Sequence, residues 1–233
     1  VPDALTLSAV GVEALDDPAT DPALVQRMLR DIARSNRWLG GGRAARHGLA
    51  QLLGPGDRGA TLTLLDIGTG AGDLPHTLTR WAARRGVTLH GIGVERLPAA
   101  ATLAHEGGLP TMLACGGTLP LADRSVDIVL ASQLAHHFDT DGTIALCREA
   151  QRVARRGVIL ADLRPSPVGA LGYRLAGPLL GFHPMTVSDG VLLLARGRDA
   201  ASLAALATRA GARDVLATSL PCARVVIAWR TAS

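Results

Sequence analysis

The chain reads as an α/β protein built on a doubly wound, mostly parallel sheet. Three observations carry that reading. Short apolar runs of strand length alternate with helical patterns along most of the sequence, as a parallel sheet with helices on both faces requires. The run Leu64-Leu65-Asp66-Ile67-Gly68-Thr69-Gly70-Ala71-Gly72-Asp73-Leu74 drives an apolar strand straight into a glycine turn and a helix. One strand–helix unit later, His90-Gly91-Ile92-Gly93-Val94-Glu95 is a second strand that also ends in an acid.

Taken in order, the chain opens with an appended segment, and only about its first dozen residues are expected to be a disordered tail. Leu24, Val25, Met28, Leu29 and Ile32 recur at helical spacing over 21–35, with Asp21 as the N-cap and Pro22 in the first turn. The stretch from Asn36 to Gly42 breaks that helix, a second runs from Arg43 to Leu53, and Gly54-Pro55-Gly56 punctuates. Alternation follows: strand 62–66, helix 74–85, strand 87–94, helix 98–106, strand 111–114, strand 126–131, helix 142–153 and strand 158–161. Val168–Leu180 reads as an apolar helix and Asp189-Gly190 as a tight turn. A helix over 200–210 and strands over 214–219 and 224–230 complete the chain.

The glycine turn holds the chemistry. Gly68, Gly70 and Gly72 can take positive φ and let a ligand approach the backbone, and the helix from Asp73 points free N–H groups into the same crevice. A dinucleotide fingerprint needs G-x-G-x-x-G and a phosphate loop needs GK[ST]. This chain has G-x-G-x-G and no lysine, so neither template fits. Glu95 ends its strand where a carboxylate can take the hydroxyls of a ribose.

Three further segments follow in order: Gly116-Gly117-Thr118-Leu119-Pro120-Leu121, Ser125–Ser132 and Arg148–Asp162. Together with the glycine turn and Glu95 they resemble the class I S-adenosylmethionine (SAM)-dependent methyltransferases. The likeness runs from about Thr61 to Asp162 and is nearest the small-molecule branch that includes the ubiquinone and menaquinone C-methyltransferases. It implies a Rossmann-like, seven-stranded sheet closed by an antiparallel C-terminal hairpin. It also implies a helical cap over residues 1–57, a methyltransferase domain over 58–233 and a substrate lid at about 164–190.

The resemblance carries roles to individual residues. Asp66 organises the turn; Gly68, Thr69, Gly70 and Gly72 lie against the methionine part of SAM. Asp73 holds its amino group or caps a helix. Glu95 takes the ribose, and Arg96 lies over the adenine or is a surface arginine. The family usually places an acid after the third strand for the adenine amine. Gly117 stands there instead, leaving the Thr118 hydroxyl or backbone carbonyls and forgoing a bond worth about 1.5–3 kcal/mol. The loop Ser132-Gln133-Leu134-Ala135-His136-His137-Phe138 borders the transferring methyl. His136 and His137 are candidate bases or structural hydrogen-bonding groups.

His183 is a rival base. Tyr173, Phe182 and Met185 cluster in the lid of a chain with one Tyr and two Phe, which points to an apolar acceptor pocket or to plain packing. By the resemblance, Trp38 and Asn36-Arg37 would close its other side. Arg37 or Arg164 suits an acidic or phenolate acceptor, or holds a helix end. Asp139, Asp141 and Asp162 stand apart in sequence, so no metal is expected, and Asp162 is a structural acid or a substrate contact.

Composition narrows the function further. The net charge of +4 comes with scattered arginines and 3% aromatic residues, too few for a nucleic-acid groove with stacking platforms. No apolar run spans a bilayer. Cys115, Cys147 and Cys222 are odd in number and lack C-x-x-C spacing, as expected of reduced thiols in a cytoplasm. The sequence thus predicts SAM-dependent methyl transfer to oxygen or carbon of a small aromatic, polyketide-like or quinone-like acceptor, releasing S-adenosylhomocysteine (SAH). A cyclase or decarboxylase on the same fold and a non-catalytic scaffold are the alternatives, and a homodimer is left open.

Overall fold

The computed structural model describes residues 14–16 and 19–231, so the expected N-terminal tail lies outside the described residues. Seven strands form one sheet: β1 (Thr61–Ile67), β2 (Thr88–Glu95), β3 (Thr111–Leu113), β4 (Val126–Ser132), β5 (Ala154–Leu163), β6 (Leu216–Leu220) and β7 (Arg224–Arg230). Their spatial order is β3-β2-β1-β4-β5-β7-β6, parallel except for β7, which runs against both β5 and β6. The order reverses between β1 and β4, and the crevice beyond their carboxyl ends is where a doubly wound sheet takes its ligand.

Among the described residues eight α-helices accompany the sheet: α1 (Pro22–Trp38), α2 (Gly41–Leu52), α3 (Asp73–Ala83), α4 (Pro98–Glu106), α5 (Thr140–Val153), α6 (Pro167–Leu179), α7 (Pro184–Arg196) and α8 (Ala200–Arg209). Leu49 and Leu52 of α2 and Leu74 and Leu78 of α3 pack with Leu64, Ile128 and Ile159 on one face. Leu146 and Val153 of α5 and Leu203 of α8 pack with Leu65, Val129, Leu160 and Trp229 on the other. The central strands are buried on both sides, hence their continuous Val/Ile/Leu runs. Cys147 lies in this core, where burial pushes its thiol up to about 12.

Three departures from the sequence reading matter for the site. The first helix continues through Asn36 to Trp38 before Gly40 takes φ +91° and turns the chain into α2. Only α1 lies over α4 and the strand ends, whereas α2 packs on β5 and β7 and belongs to the sandwich. Asp189-Gly190 is not a turn but the interior of α7, because a Cβ at Gly190 would run into the Tyr173 ring of α6. The missing side chain is what lets α6 and α7 lie close together.

Asp31 of α1 fastens that helix pair. It is fully buried and accepts from the His183 N–H at 2.7 Å and the Thr186 hydroxyl at 3.2 Å, at the start of α7. Arg34 pairs with Asp31 and donates to the Leu180 carbonyl oxygen at 2.9 Å, at the end of α6.

Candidate active site

A cavity of about 920 Å³ opens at the carboxyl ends of the parallel strands. One end is made by the turn between β1 and α3. Gly68, Gly70 and Gly72 take φ of +71°, +55° and +75°, and Gly68 and Thr69 donate their N–H groups to the Val94 carbonyl oxygen. Left-handed backbone here keeps the turn tight and free of side chains toward the crevice.

Three carboxylates converge on this end. Asp66 is 2% exposed; its Oδ2 accepts from the Thr69 hydroxyl at 2.9 Å and its Oδ1 is buried with no partner. Burial pushes its carboxyl up to about 8, and the charges of Asp73 and Glu95 add to the rise against the Thr69 bond. Burial also raises Asp73, opposed by its bond from Asn36. Glu95 is tied into the loops: Oε2 accepts from Gly70 N–H at 3.0 Å, and Oε1 from Arg96 N–H at 2.7 Å and Leu97 N–H at 3.0 Å. A carboxylate has about four acceptor positions, so one remains, on Oε2.

The other end of the cavity lies under α6 and α7. Tyr173, Gly169 and Gly172 from α6, Thr186 and Leu193 from α7, Phe138 and Arg164 line it. At the join, Gln133 donates to Asn36 Oδ1 at 2.8 Å and Asn36 donates to Asp73 at 3.2 Å, bridging the loop after β4 to the start of α3 through α1. Gln133 holds φ +52°, a strained value for a side chain that turns it into this bridge.

His136 sits at the same join, buried, with its Nδ1 2.6 Å from Asp162 Oδ1. Its backbone N–H also donates to Asp162 Oδ2 at 3.1 Å, and Leu163 N–H donates to Oδ1. Burial works against the Asp162 carboxylate, but the charge and hydrogen bond of His136, the Leu163 N–H and His137 together hold it below the ordinary range. An ionised Asp162 can only accept, so Nδ1 of His136 carries the proton. The two histidine rings lie 4.4 Å apart.

Of the residues singled out in the sequence, the cavity gathers Asp66, Gly68, Thr69, Gly70, Asp73, Glu95, Arg96, Ser132, Gln133, His136, His137, Phe138, Arg164 and Tyr173. Others lie off its wall. Gly72 faces Leu109 and Ala104 behind the turn. Gly116 reaches the cavity, but Gly117 and the exposed Thr118 turn away into the bend after β3. Arg37 stacks 5.0 Å from the Trp38 ring, and Trp38 is 61% exposed. The Nδ1 of His183 accepts from Met185 N–H at the start of α7, and Met185 is 41% exposed. Phe182 is buried behind Tyr173, under the Arg34 guanidinium.

One group on the wall was not singled out by sequence reasoning, whereas Asn36, expected with Arg37 and Trp38 to close the acceptor pocket, instead bridges Gln133 and Asp73. Arg224 of β7 is 3% exposed and lines the cavity, and its local sequence reads as an ordinary strand start. Among the described residues, no group of three or more His, Cys, Asp or Glu side chains is placed to hold a metal.

The strand order and the crevice at the strand ends are those of the class I SAM-dependent methyltransferase fold. Residues 65–161 match the family model described as a methyltransferase domain. An uncharacterized methyltransferase of Mycolicibacterium vanbaalenii is 36% identical over 135 residues, 56% of this chain and 46% of that protein. A second, from Mycolicibacterium gilvum, is 36% identical over 132 residues, 54% and 45% of the two chains. The chain thus spans about half the length of the curated relatives it matches.

Solved structures share the fold at low identity. A SAM-dependent methyltransferase from Aquifex aeolicus superposes with a TM-score of 0.61 at 15% identity, covering 91% of this chain and 99% of that one. Human N-acetylserotonin methyltransferase in complex with SAM gives 0.65 at 14%, covering 91% and 57%. Magnesium protoporphyrin IX methyltransferase from Synechocystis with bound SAH gives 0.56 at 16%, covering 83% and 84%.

Proposed function

We propose that this domain transfers a methyl group from SAM to oxygen or carbon of a small, largely apolar aromatic, polyketide-like or quinone-like acceptor. The observation that carries this is a single cavity joining a three-carboxylate end to an apolar chamber under α6 and α7. The acid end fits SAM: the unpartnered Asp66 Oδ1 and the raised Asp73 await a cation, and the side-chain-free turn leaves room beside them.

In this reading Asp66, Gly68, Thr69, Gly70 and Asp73 hold the methionine part, with Asn36 fixing Asp73. Glu95 Oε2 takes one ribose hydroxyl, since its other acceptor positions already serve the loops. The adenine lies between Arg96 and the Ala114–Gly116 backbone, so the lack of an acid at Gly117 is met by main-chain atoms. SAM supplies a methyl group already activated on a sulfonium. The chain's task is therefore to align the acceptor, exclude water and, for a hydroxyl or acidic carbon, receive a proton.

His136 is the better candidate for that last step. Asp162 orients its ring and stabilises the imidazolium that proton uptake would form. Tyr173 and Phe138 give the acceptor an aromatic wall.

The deciding experiment measures the melting temperature with and without SAH, then product mass with SAM and an aromatic acceptor panel. SAH at about a hundredfold over its dissociation constant should raise the melting temperature by about 5–11 °C. An acceptor gaining the mass of one methyl group, with SAH released, would support transfer over a cyclase or decarboxylase. No shift at millimolar SAH would overturn the reading.

A further inference from the structure

Arg224 opens β7 opposite Leu163 of β5, beyond β4 from the acid-rich end of the cavity. It is 3% exposed, and its stem packs beneath Gly40 in the turn between α1 and α2. Among the described residues its guanidinium makes one hydrogen bond, from Nε to the Leu39 carbonyl oxygen at 3.1 Å. Among the described residues neither terminal nitrogen has a hydrogen-bond partner and no carboxylate forms a salt bridge with it. The nearby acids are committed elsewhere, Asp162 to His136 and Asp73 to Asn36. Arg164, leaving β5 beside it, lines the same cavity, and its Nε is also buried with no partner.

A buried guanidinium without a counter-charge is unfavourable, and burial alone pulls its proton affinity down. Arg164, half-buried on the same wall, adds a second positive charge there. Such an arrangement makes sense when the occupant of the cavity brings the negative charge. A planar fork of N–H donors suits a carboxylate, which it can bind through two parallel bonds.

We infer that Arg224, seconded by Arg164, receives a carboxylate on the methyl acceptor, so that the substrates of this site are carboxylate-bearing aromatic or polyketide-like acids. The inference rests on the methyltransferase reading above. The rival source of a carboxylate is the methionine tail of the cofactor itself. Against that, Arg224 stands on the far side of β5 from the glycine turn, and Asp73 at that turn acts on it only after Tyr173, Asp162 and Cys222.

The test uses melting temperature and calorimetry, independent of turnover. With SAH at saturation, benzoate, 4-hydroxybenzoate, salicylate and 2-naphthoate are each compared with the corresponding carboxamide. The acids should stabilise the wild type further, the amides needing at least about tenfold higher concentration for the same shift. Arg224→Gln should erase that discrimination while SAH affinity stays within about threefold, and Arg224→Lys should retain part of it. Equal shifts from acid and amide in the wild type, or no shift from any acid, would overturn the inference without needing a variant to fold. So would an Arg224→Gln protein that loses SAH affinity about tenfold yet still prefers acids, which would move Arg224 to the cofactor. A wild type that fails to bind SAH would instead overturn the methyltransferase reading beneath it.

Discussion

The two ends of the cavity are built by opposite rules. The end proposed for the cofactor is mostly main chain from neighbouring stretches: a glycine turn, two strand ends, and Glu95 taking three backbone N–H groups. The end proposed for the acceptor is mostly side chain, from segments far apart in sequence: Phe138 after β4, Tyr173 from α6, Thr186 from α7 and Arg224 from β7. Its roof is held from outside the chamber by Asp31 and Arg34, and the outer face of α6 leaves Leu175 and Leu179 exposed. A backbone-built site tolerates little change in its own short motif. A side-chain-built site can change ligand by one substitution without disturbing the fold.

That contrast is tested most severely at the join, where His136 and Asp162 link the two ends. Asp162→Asn removes the charge beneath a buried histidine and should lower stability by about 3–5 kcal/mol. Thermal unfolding reads this as a fall of roughly 6–20 °C. SAH affinity in the folded fraction should change little, because neither side chain belongs to the cofactor end. A joint loss of SAH affinity would mean that the ends are not separate.

Gly68→Val attacks the cofactor end alone. A β-branched residue at φ +71° is strained, and its Cβ would stand 3.2 Å from Leu134 Cδ1. SAH affinity should fall by about a hundredfold, some 2.7 kcal/mol, as measured by calorimetry. The α6–α7 roof should keep its protection in hydrogen exchange, since none of its anchors touches the turn.

Asp66 gives the cofactor end a pH signature that the acceptor end lacks. Its carboxyl titrates at about 8 in the folded chain against 3.8 for the free group. Between those values the native state holds a proton that the unfolded chain has released, so raising the pH favours unfolding. The ligand-free protein should lose up to about 1.4 kcal/mol per pH unit across that window. Asp66→Asn should flatten the slope, and a profile unchanged by the substitution would place the titrating group elsewhere. Asp162, held below the ordinary range, acts in the other direction and only on acidification.

The same contrast explains what could be read from sequence. The glycine turn, Glu95 and the parallel strands were legible because each is specified within a few residues by periodicity and backbone permissiveness. Arg224 was not, because nothing near it in sequence says that a strand-start arginine will be buried under α1. The His136–Asp162 bond was also hidden, since 26 residues separate its partners and the sheet alone brings them together. At Asp189-Gly190 the dipeptide signals a turn, but α7 overrides it because the Tyr173 ring needs the space of a missing Cβ. Tyr173 itself was found by scarcity, as the chain's one tyrosine.

The smallest expected effect concerns Trp38, which the sequence placed at the acceptor end. On α1, Ser35, Asn36 and Leu39 turn toward the cavity, while helical geometry carries Arg37 and Trp38 outward. Trp38 is 61% exposed, and its neighbour there is the Arg37 guanidinium. Trp38→Ala should therefore change stability by no more than about 0.5 kcal/mol and leave SAH affinity unaltered. Asn36→Ala, two residues away, removes the bridge between Gln133 and Asp73 and should weaken SAH by about tenfold. Two faces of one helical turn would then differ by an order of magnitude because one side chain spans the join and the other meets solvent. A Trp38→Ala protein that binds acceptors distinctly worse would extend the chamber past α1, and the acceptor end would be wider than its walls indicate.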